Sequence, residues 1–423
     1  MKNVPRVVLG LGLTTAWGRN VTRGALAYAE RHGPWDCELP LAGFYTIDAL
    51  KRLGKINGLI VPSDLAELVA STLGRKMPIV AVGTTSPAAV PRHLPHLHEN
   101  HAEIAQMAMT HFIERGFRHF AYYAFRGYHM AKLHGNAFVS LLRSHGFECS
   151  WFKKEAGEGV RSETANDLKM NEWLRKLPKP VAVLASWDGA AHEVTMACRK
   201  MNIAVPEQVA VLGIGNDEYQ CLLCNPYLSS LDPGLERLGY ESAQMLDNML
   251  RKTGKKRVQT GPTLFPPIRV VTRQSTDVIA VSDERVAAAV RKIHEHLSAG
   301  VNVKLLAREL GIGRRTLEIA FKKHLGRTVY DEIVRAQIAR ASRLLEDGEL
   351  SVAEITQHCG FQQVSHFRTF FKKHTGTTPL EYRIRNQRRR YQGIPYEVDR
   401  LPSDTATLRA PKRQLAGCDH RYP

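Results

Sequence analysis

Apolar residues along the first 275 or so positions come in two alternating forms: short unbroken runs and longer stretches of helical period. The runs include R-V-V-L-G-L-G at Arg6–Gly12, N-G-L-I-V-P at Asn57–Pro62 and P-I-V-A-V-G at Pro78–Gly83. A helical stretch from about Arg19 to His32 follows the first run, with Val21, Ala25, Leu26, Tyr28 and Ala29 as its apolar members. An alanine- and leucine-rich helix separates the other two. Unbroken apolar strands of this kind belong to a parallel sheet covered on both faces. Between Thr84 and Leu97 the period breaks in a Pro- and His-rich stretch. It restarts with a helix at Glu99–Arg115, the strand R-H-F-A-Y-Y-A and a helix from about Met130 to His145. A strand around Cys149–Phe152, a helix near Glu163–Lys176 and the strand Pro180–Ala185 follow. The helix Gly189–Met201 and the strand Val209–Ile214 complete the set. Two α/β sets on either side of a break predict two Rossmann-like lobes with a cleft between them.

The pattern changes after Asp277. V-I-A-V-S-D-E-R reads as a linker ending in a Ser282/Asp283 helix cap, and beyond it the period is purely helical. Two similar units follow, V-K-L-L-A-R-E-L-G-I-G-R-R-T-L-E-I-A-F-K-K-H-L-G at Val303–Gly326 and a second at Ser351–Arg383. Each closes on F-K-K-H-x-G. In the first, Val303, Leu306, Ala307 and Leu310 form an apolar stripe, Gly311 turns the chain, and Leu317, Ala320, Phe321 and Leu325 face inward. Arg314, Arg315, Glu318 and Lys322 are left outward. In the second, Val352, Ile355 and Cys359 pack, Gly360 turns, and Phe367, Phe370 and Phe371 anchor a helix whose Ser365, His366, Arg368 and Thr369 point away. Tandem helix-turn-helix units can present two reading helices to DNA, where arginine pairs with guanine edges and Ser, Thr or His reaches bases or phosphates.

Charge supports that reading. Of a net +18, +9 lies in residues 283–391, which carry 21 Lys/Arg against 12 Asp/Glu. Half the excess in a quarter of the length is a field that steers and binds a polyanion. The remaining composition, 43% hydrophobic with no apolar run of membrane-span length, is that of a globular protein. The N-terminus lacks the apolar length and cleavage site of a signal peptide, so a cytoplasmic location is expected, with no membrane partner. Seven scattered cysteines suit reduced thiols. Cys221 and Cys224 form a C-x-x-C pair without the second pair that a structural zinc site needs. No metal or cofactor is expected.

The second unit, G-F-Q-Q-V-S-H-F-R-T-F-F-K-K-H-T-G-T-T-P-L-E-Y-R, resembles the signature of the AraC/XylS family of transcription activators. The resemblance implies a long helix at about Val329–Glu346 holding two reading helices one DNA turn apart. By position, Arg314, Arg315 and Glu318 would read one major groove, and Val364, Ser365, His366, Arg368 and Thr369 the next. Val364 departs from the pattern in having no polar group. The N-terminal part resembles the periplasmic-binding-protein-like sensor of LacI-type repressors, a two-lobed α/β fold. The order of parts is that of the group of xylose-operon regulators. V-P-E-Q-V-A-V-L-G-I-G-N-D-E, P-Y-L-S-S-L and P-P-I-R-V-V-T-R-Q-S-T-D are similar to that group. The implied domains are a sugar-sensing domain at 1–277, a linker at 278–282, a double helix-turn-helix domain at 283–391 and a disordered tail at 392–423.

In such a sensor, polar residues at strand C-terminal ends face the cleft. Asp188 is the leading ligand-binding candidate, because a carboxylate accepts hydrogen bonds from neighbouring sugar hydroxyls, while Trp187 offers an apolar face. A carboxylate there also suits a helix N-cap. Asn216 and Asp217 form a second pair; Trp17, Arg19 and Asp64 follow other strands. Two positions differ from the xylose sensors: Gly215 stands in place of an acidic residue, and His134 in place of an arginine. The effector expected is therefore a sugar or sugar acid rather than xylose in particular. Double-stranded DNA, a second copy of the chain and RNA polymerase are the other implied partners, and activation the implied action. Catalysis is disfavoured. G-L-G-L-T-T at Gly10–Thr15 lacks the third glycine of a dinucleotide loop, and neither a P-loop nor a nucleophile elbow is present. A ligand-independent DNA-binding or architectural protein with a degenerate sensor is the remaining alternative.

Overall fold

The structure is a computed structural model. It describes residues 4–39, 51–52, 54–74, 76–83, 85–125, 129–154, 163–251, 261–278 and 283–384. The tail expected at 392–423 and the linker residues 279–282 lie outside the described residues.

The first lobe is built on a parallel sheet of strands β1 (Arg6–Leu9), β2 (Asp36–Glu38), β3 (Gly58–Pro62), β4 (Ile79–Val82), β5 (Pro95–Glu99) and β11 (Gly261–Phe265), in the order β11-β5-β4-β3-β1-β2. Helices α1 (Ala16–His32) and α2 (Ala66–Leu73) follow β1 and β3. The central strands are buried on both faces, as their unbroken apolar runs require. One face packs Val7, Leu9, Ile60, Val80 and Val82 against α1, and the other packs Val8, Leu59, Val61 and Ile79 against α2.

The chain leaves this lobe after β5 and enters α3 (His101–Glu114), capped by Asn100, whose side chain accepts the Glu103 N–H. The second sheet contains β6 (His119–Phe125), β7 (Cys149–Lys154), β8 (Val181–Ala185), β9 (Val209–Ile214), β10 (Ser229–Asp232) and β12 (Arg269–Val271), in the order β12-β10-β9-β8-β6-β7. Only the β10–β12 pair is antiparallel. Helices α4 (His129–Ser144), α5 (Glu163–Lys176), α6 (Asp188–Lys200) and α7 (Glu218–Leu223) belong here. After β10 the chain returns to the first lobe as α8 (Leu235–Leu250), which packs on α1 so closely that a methyl group on Gly24 would lie 1.8 Å from the Glu236 carbonyl oxygen. It crosses again between β11 and β12. Three crossings thus tie two separately cored lobes, an arrangement that places the strand C-termini beside the crossings.

One sequence-level reading needs correction. The Pro- and His-rich stretch ends in a fully buried strand, β5, hydrogen-bonded between β4 and β11. Its polar His96, His98 and Glu99 hid the apolar signature. They are buried because β5 leads into the crossing between lobes.

The C-terminal part is all helical: α9 (Glu284–His296), α10 (Val303–Glu309), α11 (Arg314–Leu325), α12 (Val329–Asp347), α13 (Val352–His358) and α14 (Val364–Thr375). Two cores form. Val286, Ile293, Leu306, Leu317 and Phe321 make one, and Leu345, Ile355, Cys359, Phe367 and Phe371 the other. Helix α12 contributes to both, and its 19 residues span about 28 Å at 1.5 Å per residue.

The repeated F-K-K-H-x-G motif has a local cause. Gly326 and Gly376 both adopt left-handed backbone (φ 70° and 78°) and donate their N–H to the carbonyls of Lys322 and Lys372. The basic residues of the last turn sit where the helix dipole favours positive charge.

Candidate effector cleft and nucleic-acid interface

At the C-terminal ends of the second lobe's strands, Asp188 opens α6 and is 2% exposed. It does not cap its helix. Its Oδ1 accepts the Ser230 hydroxyl at 2.5 Å and its Oδ2 accepts the Asp217 backbone N–H at 2.7 Å. Burial raises its carboxyl to about 6, an effect opposed by those two hydrogen bonds. The carboxylate fills the space beside Gly213, where a Cβ would come within 2.2 Å of Oδ1.

Gly215 has φ +126°, a conformation that L side chains rarely adopt, and its own Cβ would lie 3.1 Å from Oδ2. An acidic side chain there would set a second negative charge against Asp188. The glycine lets the strand-end loop wrap the carboxylate.

That loop positions the next two candidates. Asn216, with φ +51°, donates its N–H to the Ser230 hydroxyl and accepts from Arg273 Nη2 at 3.0 Å. Asp217 Oδ2 meets Arg19 Nη2 at 3.2 Å, linking α1 of the first lobe to α7 of the second. Arg19 is oriented from behind by the carbonyls of Leu13 and Thr14. Arg19, Asp217, Asp188 and Asn216 are thus brought into one polar chain across the lobes. Trp187 is exposed beside them, its ring edge-on to Phe125 at 6.3 Å. Asp64 lies exposed in the turn after β3.

Trp17 and His134 join a different group. His134 on α4 is buried, with Nε2 3.6 Å from Oε2 of Glu99, the last residue of β5. His101 opens α3, and its ring lies 4.8 Å from that of His134, centroid to centroid. Among the described residues, neither ring nitrogen of either histidine has a hydrogen-bond partner. Burial lowers His134 to about 3 and His101 to about 4, so both imidazoles are neutral at pH 7. Burial also lifts the Glu99 carboxyl to about 7, while the nearby Trp17 indole opposes the shift.

The nucleic-acid interface stands on α11 and α14. Arg314, Arg315, Ser365, His366, Arg368 and Thr369 are exposed, while Glu318 and Val364 are half-buried. Arg314 Nε bonds Glu318 Oε1 at 2.9 Å, one turn further along the same helix. Four neighbouring helices have side-chain caps: Asp283 on α9, Asn302 on α10, Thr328 on α12 and Ser351 on α13. The two reading helices have none; Gly313 and Gln363 precede them without a side-chain cap. Their first N–H groups remain open to an anion.

Residues 109–276 match the periplasmic binding protein-like domain, and residues 306–385 match a helix-turn-helix domain. The xylose operon regulatory protein of Haemophilus influenzae is 30% identical over 391 residues, covering 90% of this chain and 98% of its own. The protein of the same name from Escherichia coli K12 is 29% identical over 395 residues, covering 89% and 96%. The chain belongs to the family of xylose operon regulatory proteins. A solved structure described as the xylose-binding transcription activator xylR is 27% identical with a TM-score of 0.58, covering 91% of this chain and 99% of that one. A LacI family transcriptional regulator from Arthrobacter sp. FB24 in complex with lactose shares the sensor fold, with a TM-score of 0.53 at 20% identity over 65% of this chain and all of its own.

As a member of this family, the chain is a DNA-binding transcription regulator rather than an enzyme. No helix among its described residues is long and apolar enough to cross a membrane. Within this regulator, sequence reasoning missed Glu99, His101, Ser230 and Arg273. Glu99 and His101 flank a helix cap in the E-N-H run, so they read as helix start rather than site. Ser230 sits in an ordinary strand sequence, and only the fold brings it to Asp188. Cys221 and Cys224 are core thiols, buried beside Leu228 and Ala190.

Proposed function

We propose that this regulator switches carbohydrate-utilisation genes in response to a sugar or sugar acid held between the sensor lobes. The observation that carries the reading is the Arg19–Asp217 pair, which spans the lobes at 3.2 Å and remains half in contact with solvent on the arginine side. A hydroxyl or carboxylate entering the cleft would compete for these groups. Exchanging an interlobe ion pair for ligand contacts changes the relative free energy of open and closed lobes, which is what a two-state switch requires. Asp188 acts one step behind, by holding the Asp217 N–H. Trp187 supplies an apolar surface for the ring face.

At the DNA end, Arg315, Arg368, Ser365, His366 and Thr369 contact bases or phosphates, and the open N-termini of α11 and α14 face the backbone. Arg314 and Glu318 act as a pair, and Val364 offers only apolar contact. A homodimer would present two such modules to tandem half-sites, and contact with RNA polymerase would convert binding into activation. The relatives support the sugar class, since one solved relative is described as xylose-binding.

Thermal shift against monosaccharides and sugar acids tests the effector. A ligand at 100 times its Kd stabilises the folded state by about 2.7 kcal/mol. Arg19→Ala should abolish that shift and, because it also removes the interlobe pair, move operator affinity without ligand toward the ligand-bound value. Arg315→Ala and Arg368→Ala should retain the shift and lose operator affinity, each by roughly 1–3 kcal/mol. A broad panel with no stabilising ligand would replace this reading with that of a ligand-independent DNA-binding protein.

A further inference from the structure

Glu99, His101 and His134 come together with Glu99 and His134 buried and His101 half-buried. One donor atom from each residue lies within 4.8 Å of the others. Glu99 and His134 are each 3% exposed, and among the described residues all four ring nitrogens of the two histidines lack hydrogen-bond partners. Buried polar atoms are nearly always paired, so four orphaned nitrogens beside a buried carboxylate point to a missing partner. Two imidazoles and one carboxylate are the donor set of open zinc sites and related divalent transition-metal centres.

We propose that Glu99, His101 and His134 bind a divalent transition-metal ion of the zinc class at the junction of the two sensor lobes. One nitrogen from each histidine and one carboxylate oxygen would form the first coordination shell. A tetrahedral ion with ligands about 2.0–2.1 Å away needs donor separations of about 3.3 Å. The Glu99–His134 pair, at 3.6 Å, is already close to that spacing. The remaining donor separations, at most 4.8 Å, would close by up to about 1.5 Å, within the reach of a rotation of the His101 side chain.

Three protein donors leave at least one position for water or an effector oxygen. The ligands come from the last residue of β5 in the first lobe and from α3 and α4 in the second. A bound ion would therefore pin the crossing around which the lobes turn. The site uses none of the Arg19, Asp188, Asn216 and Asp217 side chains on which the effector reading rests, so ion binding is a separate claim and is tested without sugar.

The experiment uses untagged full-length protein, stripped with a chelator and then dialysed, with Co²⁺ and Zn²⁺ as probes. The expected result is one ion per chain, visible absorption from Co²⁺ in a low-symmetry site, and its displacement by Zn²⁺. Glu99→Gln and His134→Gln should each weaken binding at least tenfold, while the exposed His358→Gln should leave it unchanged. Circular dichroism establishes that each variant is folded, and His101→Gln replaces any that is not. Absence of stoichiometric binding to folded wild-type protein, or binding that survives substitution at all three positions, overturns the proposal. A sugar response in a protein that binds no ion would leave the effector reading standing alone. Ion binding in a protein that answers to no sugar would do the reverse.

Discussion

Single residues here have effects that differ sharply with what surrounds them. Gly311 and Gly360 occupy equivalent turns of the two helix-turn-helix units, with φ of +62° and +78°. A Cβ on Gly311 meets open space, whereas one on Gly360 would lie 2.2 Å from the carbonyl oxygen of Leu297, in the turn that follows α9. Gly311→Ala should cost about 1 kcal/mol of left-handed strain. Gly360→Ala should cost several times more and push the second unit away from the turn after α9, giving a thermal midpoint well below that of Gly311→Ala in the same buffer. Asp188 offers a pH test. Its carboxyl is raised from 3.8 to about 6, so the native state holds the proton more tightly than the unfolded chain. The stabilising contribution is complete below about pH 4 and is lost as pH rises through about 6, a total of about 3 kcal/mol for two pKa units. Buried imidazoles such as His111, held well below the usual range by desolvation, contribute the opposite slope. Asp188→Asn removes only the first component. Its stability should therefore rise more steeply between pH 4 and 6 than that of the wild type, although one amide end faces the Asp217 N–H unfavourably. Parallel pH curves for the two proteins would show that Asp188 does not titrate in that window.

At the scale of elements, tight packing decides how the sensor can move. Helices α1 and α8 approach until Gly24 faces the Glu236 carbonyl and Gly239 faces that of Val21, with 1.8 and 1.9 Å for an added Cβ. Gly24→Ala should force the helices apart, destabilise the first lobe by roughly 1–3 kcal/mol and displace Arg19, which α1 carries. Differential hydrogen exchange confined to α1 and α8 would check it; unchanged protection in both helices would contradict the tight contact. Helix α1 and the central strands were legible in the sequence because one chemical signal, apolar periodicity, coincides with burial; α8 was not singled out. The strand β5 was not, because P-H-L-H-E carries its polar residues inward toward the lobe junction. The cleft was legible in part for the same reason. Asp188, Asn216 and Asp217 follow apolar strands and so declare themselves. Glu99, His101 and His134 come from a disguised strand and two helices, and only the fold brings them together. The reading helices were the easiest, since a glycine turn, an aromatic anchor and basic neighbours recur in both units.

For the whole molecule the question is how lobe movement reaches the DNA-binding helices. The described contacts offer a polar junction. Glu332 on α12 is fully buried and accepts Arg327 Nε at 2.5 Å and Arg335 Nη2 at 3.3 Å. Arg327 also donates to the Glu114 carbonyl at the end of α3, the helix that begins at His101 beside the lobe crossing. On the sensor side, Arg115 ties that same end to the Thr276 carbonyl, and burial together with Arg335 depresses its pKa to about 10. One rigid helix thus has the lobe junction at its first turn and the DNA module at its last. Arg327→Ala should cut the link while Arg335 still pairs with Glu332. Removing one partner of a buried pair costs about 3–5 kcal/mol when nothing replaces it, so a loss nearer 2 kcal/mol is expected with Arg335 retained. The variant should bind effector and operator separately with unaltered affinity but lose the effect of one on the other, because reciprocity requires both directions of coupling to fall together. Operator titrations with and without saturating ligand measure this directly. If ligand changes operator affinity in Arg327→Ala by the same factor as in the wild type, the signal travels by another path, through α9 or through a dimer contact.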